Sequence, residues 1–275
     1  MTQNNTYFDL TMIATFKNLV SVSHQSLEDI KNGFNMPPAI FRKLHAADIC
    51  NFQINKMCNL LEYIFKSQDN LNPVEDFDPF DLLSELTNTF TKMVTGYAEI
   101  SADCYSKLRR PVPMQIDKTK FEFMFLNLLY ICLRSAEGQN FRGAKFTLYI
   151  TETDSSLVFH LRDNCRNINT KIVQSALLDE DGLIQPFDDP VDSIIALSLK
   201  AALYSAQELD GTLKYKALKS GNRYDVSLPK PAPEHCRVVK SPAHYIPTYS
   251  LYSDIFSDLF MEIQSKNQKK ERHEP

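Results

Sequence analysis

Two long apolar stripes with one short break between them limit what this chain can fold into. From Asp9 to Asn32, apolar side chains recur at Ile13, Phe16, Val20, Leu27 and Ile30, with Phe34 next in line. Steps of three, four and seven residues place them on one face of a helix. Asp9 is suited to cap its N-terminus. The segment NGFNMPP then breaks the pattern. Gly33 can take a left-handed cap there, and Pro37 and Pro38 suit the start of a new helix. A second stripe follows at Ile40, Leu44, Ala47, Ile54, Cys58, Leu61 and Phe65. The pair reads as an αα-hairpin with long arms. Two helices alone cannot bury both stripes. A partner hairpin, most simply from a second copy, closes a four-helix bundle.

The 275 residues fit about two domains at ~150 residues each. QDNLNPVEDFDP clusters Pro, Asn and Asp and reads as a linker or domain entry. Beyond it come a helix at FDLLSELTNTFTKMV, a strand near Tyr97–Ile100 and another near Pro113–Ile116. Asp117 then caps an apolar helix, KFEFMFLNLLYICLRSA. KFTLYITET and LVFHLRD alternate as an antiparallel hairpin, and GTLKYKAL and RYDVSLP form a second one across SGN. Between the hairpins lie a polar loop, a short helix and the helix PVDSIIALSLKAALYSAQEL. The class is α+β: a hairpin domain over 7–68, then a two-layer sandwich over 76–229 with helices on one face of a mixed sheet. Residues 230–275 read as a Pro-rich extension, with an amphipathic helix through Tyr252, Ile255, Leu259 and Ile263 and a polar tail.

Composition removes several function classes. Glycine numbers 7 in 275, against ~7% in ordinary usage. No two glycines are closer than five positions, so there is no intact P-loop and no dinucleotide fingerprint. A net charge of −4 argues against a general nucleic-acid binder. The six cysteines form no C-x-x-C pair, which argues against a zinc ribbon, and they read as buried reduced thiols. No signal peptide and no membrane-spanning apolar run is present, which suits a soluble cytoplasmic protein.

The hairpin followed by this sandwich resembles the catalytic half of bacterial sensor histidine kinases, with their GHKL-type ATPase-like domain. Five segments carry the resemblance in order. DKTKFEFMFLNLLYICLRSA resembles the N box; LVFHLRDNCRNI resembles the strand and turn that read D-x-G-x-G-I. LIQPFDD resembles the lid entry. DSIIALSLKAALYSAQELDGTLKYKAL resembles the second glycine box with its helix and strand, and SGNRYDVSLP the closing strand.

The departures matter as much. Asn127 is kept, but Ile131 stands where the resemblance implies a second Asn for magnesium, and Ile has no oxygen for a hard cation. Asp163 is kept and would hydrogen-bond the adenine amino group. Cys165 and Asn167 replace the glycines of the first box, and Ala196 and Ser198 those of the second. Those glycines permit positive φ and close approach of backbone N–H groups to phosphate. As plain residues, Asp163 is a turn former and Asn127 an ordinary helix residue. The expectation is a remnant nucleotide site with no functional cofactor and no metal.

Active members of the family carry a phosphoacceptor His on the first hairpin helix. Two registers are open. VSHQSLEDI puts His24 in that place, nine residues from Gly33, with Glu28 at i+4 able to reach the imidazole. FKNLVSVS puts Lys17 there, with Asn18 at the acidic neighbour and Ser21 on the Thr, and then no acceptor remains. Lys17 and His24 share a face and read as exposed. His45 reads as an ordinary residue of the other arm, and His160 as sheet surface. The resulting reading is a dimeric, catalytically degenerate docking protein of two-component signalling, a pseudokinase rather than an enzyme. Its docking face would be Lys17, Asn18, Ser21, His24 and Glu28. Its partners would be a response-regulator receiver domain or another histidine kinase, without nucleic acid or membrane. The alternative is a histidine phosphotransferase acting through His24; an active ATP-dependent kinase ranks last.

Overall fold

The architecture comes from a computed structural model that describes residues 3–66, 74–95, 99–177, 187–231, 251–252 and 255–263. Helices α1 (Gln3–Gly33) and α2 (Pro38–Lys66) form the hairpin. Then follow β1 (Val74–Phe77), α3 (Pro79–Thr95), β2 (Ile100–Ser106), β3 (Met114–Asp117) and α4 (Lys118–Glu137). β4 (Ala144–Glu152), β5 (Ser156–Asp163), α5 (Thr170–Leu177), α6 (Pro190–Glu208), β6 (Thr212–Ala217) and β7 (Asn222–Pro229) complete the sandwich. Residues 255–263 form α7. The main sheet has the order β2-β4-β5-β7-β6, with β2 parallel to β4 and the other pairs antiparallel.

Local chemistry explains the boundaries. Pro38 opens α2, where its missing N–H costs nothing, and Ile40 and Phe41 donate to the Pro37 carbonyl. Asp117 caps α4 by accepting from the Lys120 amide at 3.0 Å. Gly221 sits at φ +100°, and a Cβ there would lie 1.8 Å from the Asp163 carbonyl oxygen, so only glycine fits this turn.

Burial is concentrated on α4, where every residue from Phe121 to Arg134 is buried. A helix buried all round needs neighbours on all sides. Phe146, Phe159 and Tyr224 of the sheet cover one side, and α3 and α6 flank it. α2 and α7 form a further layer: Tyr63 stacks on Phe123 at 3.9 Å, and Phe256 lies 6.1 Å from Tyr130 and 5.6 Å from Phe90. Ile255, Leu259 and Ile263 are buried as the amphipathic spacing predicts. Polar contacts fix α7 as well. Buried Arg134 donates to Asp258 at 2.7 Å and to both oxygens of Glu262 at 2.7 and 2.9 Å, and Tyr130 donates to Asp258 at 2.7 Å. Lys56 of α2 donates to the Ile255 carbonyl and lies 3.6 Å from the Tyr130 ring centre.

Several expectations need correction. Val74–Phe77 is a strand paired with Met114–Asp117, not linker. β2 begins at Ile100 rather than ending there. α1 starts at Gln3, so Asp9 lies inside it, and Gly33 does not adopt positive φ. Cys58, Cys132 and Cys165 are buried, but Cys50 is exposed and Cys104 half-buried; Cys236 lies outside the described residues. Among the described residues no helix is long and apolar enough to cross a membrane.

Candidate functional site

The hairpin brings together charged side chains from both arms. Asp48 on α2 is fully buried, and its Oδ1 lies 2.5 Å from His24 Nδ1. Its Oδ2 accepts from Lys31 Nζ at 2.6 Å, and Lys31 also donates to Glu28 at 2.7 Å. Burial alone would raise the Asp48 carboxyl; hydrogen bonds from Lys31 and His24 overcome it and hold the carboxyl below its ordinary value. Lys31 likewise resists burial through Asp48 and Glu28, and its ammonium is pushed above the ordinary value. An ionised carboxylate only accepts, so the ring proton facing it sits on Nδ1. In the neutral ring Nε2 then carries the lone pair. Phe52 packs edge-on against the imidazole at 5.0 Å, and the side chain keeps 39% exposure.

This geometry revises the expected roles on α1. His24 is half-buried and tied to the other arm rather than free on the surface. Its acid is Asp48, not Glu28, which pairs with Lys31. Lys17 also crosses to α2, pairing with Glu62 at 2.7 Å. Ser21 donates to the Lys17 carbonyl at 2.9 Å, as helix serines do, and Asn18 is exposed. His24, Glu28 and Asp48 present ligand-type atoms within 4.8 Å of one another, and Lys31 already supplies the positive charge between the two carboxylates. His45 is half-buried, with an Nε2 that has no hydrogen-bond partner in the structure.

The box residues lie in a different place. Asp163 is buried at the end of β5. Its Oδ1 accepts from the Cys165 amide at 2.8 Å and the Asn222 amide at 3.1 Å, and Asn222 Nδ2 reaches both oxygens at 3.0 and 3.1 Å. Burial raises the carboxyl despite these bonds. Asn222 in turn accepts from the Ile168 amide and from Tyr215 Oη. It is the hub of the turn, a role that the local pattern SGN does not signal. Burial pushes the Cys165 thiol up to about 12, so it is no nucleophile at neutral pH. Asn167 donates to the Leu218 carbonyl at 3.1 Å.

Asn127 is fully buried and donates to the Phe123 carbonyl at 2.9 Å, while its Oδ1 has no partner in the structure. Ile131 is buried one turn on. Ala196 and Ser198 lie inside α6, which begins at Pro190, so their amides belong to the helix ladder. The N-terminus of α6 is closed by Asp189, which accepts from the Val191 amide at 2.9 Å. A cavity of about 770 Å³ lies beside this end, lined by Arg134, Gly138, Arg166, Asn169, Asp189 and Asp192 among others. Of the seven box positions only Asn167 lines it, and no residue of α7 does. The segment LIQPFDD falls partly outside the described residues.

No family profile and no curated protein matches the sequence. Solved structures match in fold. Acinetobacter baumannii histidine kinase AdeS aligns at 17% identity and TM-score 0.51, over 77% of this chain and 94% of that one. Histidine kinase ThkA, in complex with response regulator protein TrrA, aligns at 13% and 0.55, over 82% and 61%. Full-length ShkA in complex with AMPPNP aligns at 12% and 0.57, over 84% and 47%. This chain thus spans less than two thirds of the latter two. Its fold is that of a histidine-kinase catalytic core: the helical hairpin plus the ATPase-like sandwich.

Proposed function

We propose that this chain is a cytoplasmic, dimeric docking module of two-component signalling that does not turn over ATP. It binds a response-regulator receiver domain or another histidine kinase along α1. One observation carries the reading: most residues at the nucleotide-box positions serve the protein's own interior. Asp163 holds Asn222 and Cys165, Ala196 and Ser198 sit in a continuous helix, and Ile131 is packed in the core. A phosphate placed at the start of α6 would meet Asp189 and Asp192 instead of free amides. On the docking side, Asn18 and Ser21 are exposed, and Met12, Phe16, Leu19 and Val22 leave an apolar strip for a second copy. A ligand at 100 times its Kd stabilises a fold by ~2.7 kcal/mol. Titration with Mg-ATP is expected to leave the melting temperature unchanged, and a saturable rise would overturn the reading.

The His24–Asp48 pair favours a second reading, phosphotransfer without ATP. Nε2 of His24 would attack the phosphorus of a receiver aspartyl phosphate. The N–P bond forms, the P–O bond breaks, and the aspartate leaves as a carboxylate while Asp48 holds the Nδ1 proton. Incubation with a phosphorylated receiver and assay of acid-labile phosphate tests this. Label lost in His24→Ala would establish it, and no label on wild type would leave docking alone.

A further inference from the structure

The face of the main sheet opposite its helices concentrates charge that neither reading uses. Strand register arranges its outward side chains in rows. One row runs Asp103, Thr147, Arg162, Arg223, Lys216 across β2, β4, β5, β7 and β6. Three cations therefore occupy adjacent positions on three neighbouring strands, about 4.8 Å apart. Like charges directly opposite one another weaken a sheet. Only Arg223 among them is paired among the described residues, with Asp225 at 2.6 Å. Arg162 keeps a buried Nε with no hydrogen-bond partner in the structure. Lys145 is exposed on the same face, next along β4 from Thr147.

The next row shows how two of these charges are held. Tyr105 stacks on Tyr149 at 5.3 Å, and Tyr149 on His160 at 4.4 Å. Lys107 and Arg162 lie 4.7 and 5.2 Å from the Tyr149 ring centre. Cation–π contacts preorganise both cations without neutralising them. On the strands, five cations (Lys145, Arg162, Lys214, Lys216 and Arg223) thus share this face with two acids, Asp103 and Asp225, while Lys107 and Glu99 flank β2, in a chain whose net charge is −4.

We propose that this sheet face docks an acidic surface of a partner protein, with Arg162, Arg223 and Lys216 at its centre. Charge complementarity fixes the class of partner. A single-stranded nucleic acid is the competing polyanion, but it relies on free aromatic faces for base stacking. Here Tyr149 is stacked between Tyr105 and His160, and Tyr149 and His160 are both buried. The site is separate from α1, so it stands whether or not the docking reading of that helix holds.

The test uses the full chain and poly-L-glutamate as probe, in about 10 mM salt, where the Debye length is ~30 Å. Wild type should bind. The variant Lys145→Gln/Arg162→Gln/Lys216→Gln should bind at least about tenfold more weakly. A charge-matched control on the helical side, Arg42→Gln/Lys43→Gln/Lys92→Gln, should stay within about twofold. Circular dichroism melts of both variants establish that each is folded at the assay temperature. The proposal is overturned by no binding to wild type or by equal losses in both variants. Tighter binding of oligo-dT than of poly-L-glutamate, abolished in the sheet variant, would overturn the choice of partner.

Discussion

α4 and α1 are both long helices with apolar side chains, yet they end in opposite situations. α4 buries every residue from Phe121 to Arg134. α1 buries Ile13 and Val20 but leaves Leu19 61% and Val22 66% exposed. The difference lies in the neighbours, not in helix propensity. α4 finds the sheet, α3, α6, α2 and α7 within its own chain. Among the described residues α1 packs on α2, and its outer strip stays exposed. One helix reports a completed core and the other a missing surface.

Breaking the completed side should cost most. Arg134→Ala strips Asp258 of its buried cation and leaves Tyr130 Oη and Glu262 short of partners. Removing one member of a buried ion pair typically costs about 3–5 kcal/mol. Urea titration should register a loss of that size, and Phe256→Ala should come close to it, at about 3–5 kcal/mol for a fully buried Phe. A loss under 1 kcal/mol for both would mean that α7 merely rests on α4.

The open side separates into two effects. Val20 is buried inside the hairpin, so Val20→Glu places a carboxylate where water is excluded and should cost several kcal/mol in any oligomeric state. Val22 lies two positions away and faces solvent. Val22→Glu should leave the monomer's stability within about 0.5 kcal/mol and abolish dimerisation. Light scattering at micromolar concentration reads the second effect and chemical denaturation the first. A dimer that survives Val22→Glu together with Leu19→Glu would place the second copy elsewhere.

Legibility in the sequence follows the same division between near and far. Alternation and caps made β4, β5, β6, β7 and α4 readable, because those signals lie within one element. β1 was hidden in a run of Asp and Pro, and its partner β3 lies 40 residues on (114 − 74). The α7 stripe was legible, whereas its anchors to Arg134 cross 124 and 128 residues of chain. At the hairpin, Glu28 was the local candidate for the His24 acid because i+4 is a helix neighbour. Asp48 answers instead from the opposing arm, and only the folding of the hairpin decides which carboxylate arrives. Asn222 escaped for a similar reason: its work is to satisfy Asp163, 59 residues away.

The smallest expected effect sets the two regions against each other through one carboxylate each. Asp48 in the hairpin has its pKa lowered from 3.8, against burial, by Lys31 and His24. Asp163 in the sandwich has its pKa raised from 3.8 by burial. A lowered carboxyl contributes stability above its unfolded pKa that is lost as pH falls through the folded value. A raised carboxyl does the reverse: its contribution is full below 3.8 and lost as pH rises through the folded value. Substituting Asn removes each titration while keeping the shape. Between about pH 3 and about pH 6, the difference between wild type and Asp48→Asn should therefore shrink as pH falls below about 4, and that for Asp163→Asn should shrink as pH rises above about 4. Taking differences cancels the titrating groups that touch neither carboxylate, including His160 and Asp225 on the outer sheet face. Urea midpoints across that range would show two slopes of opposite sign. Slopes of the same sign would mean that one of these carboxylates is not in the environment described, and the variant with the unexpected slope identifies which.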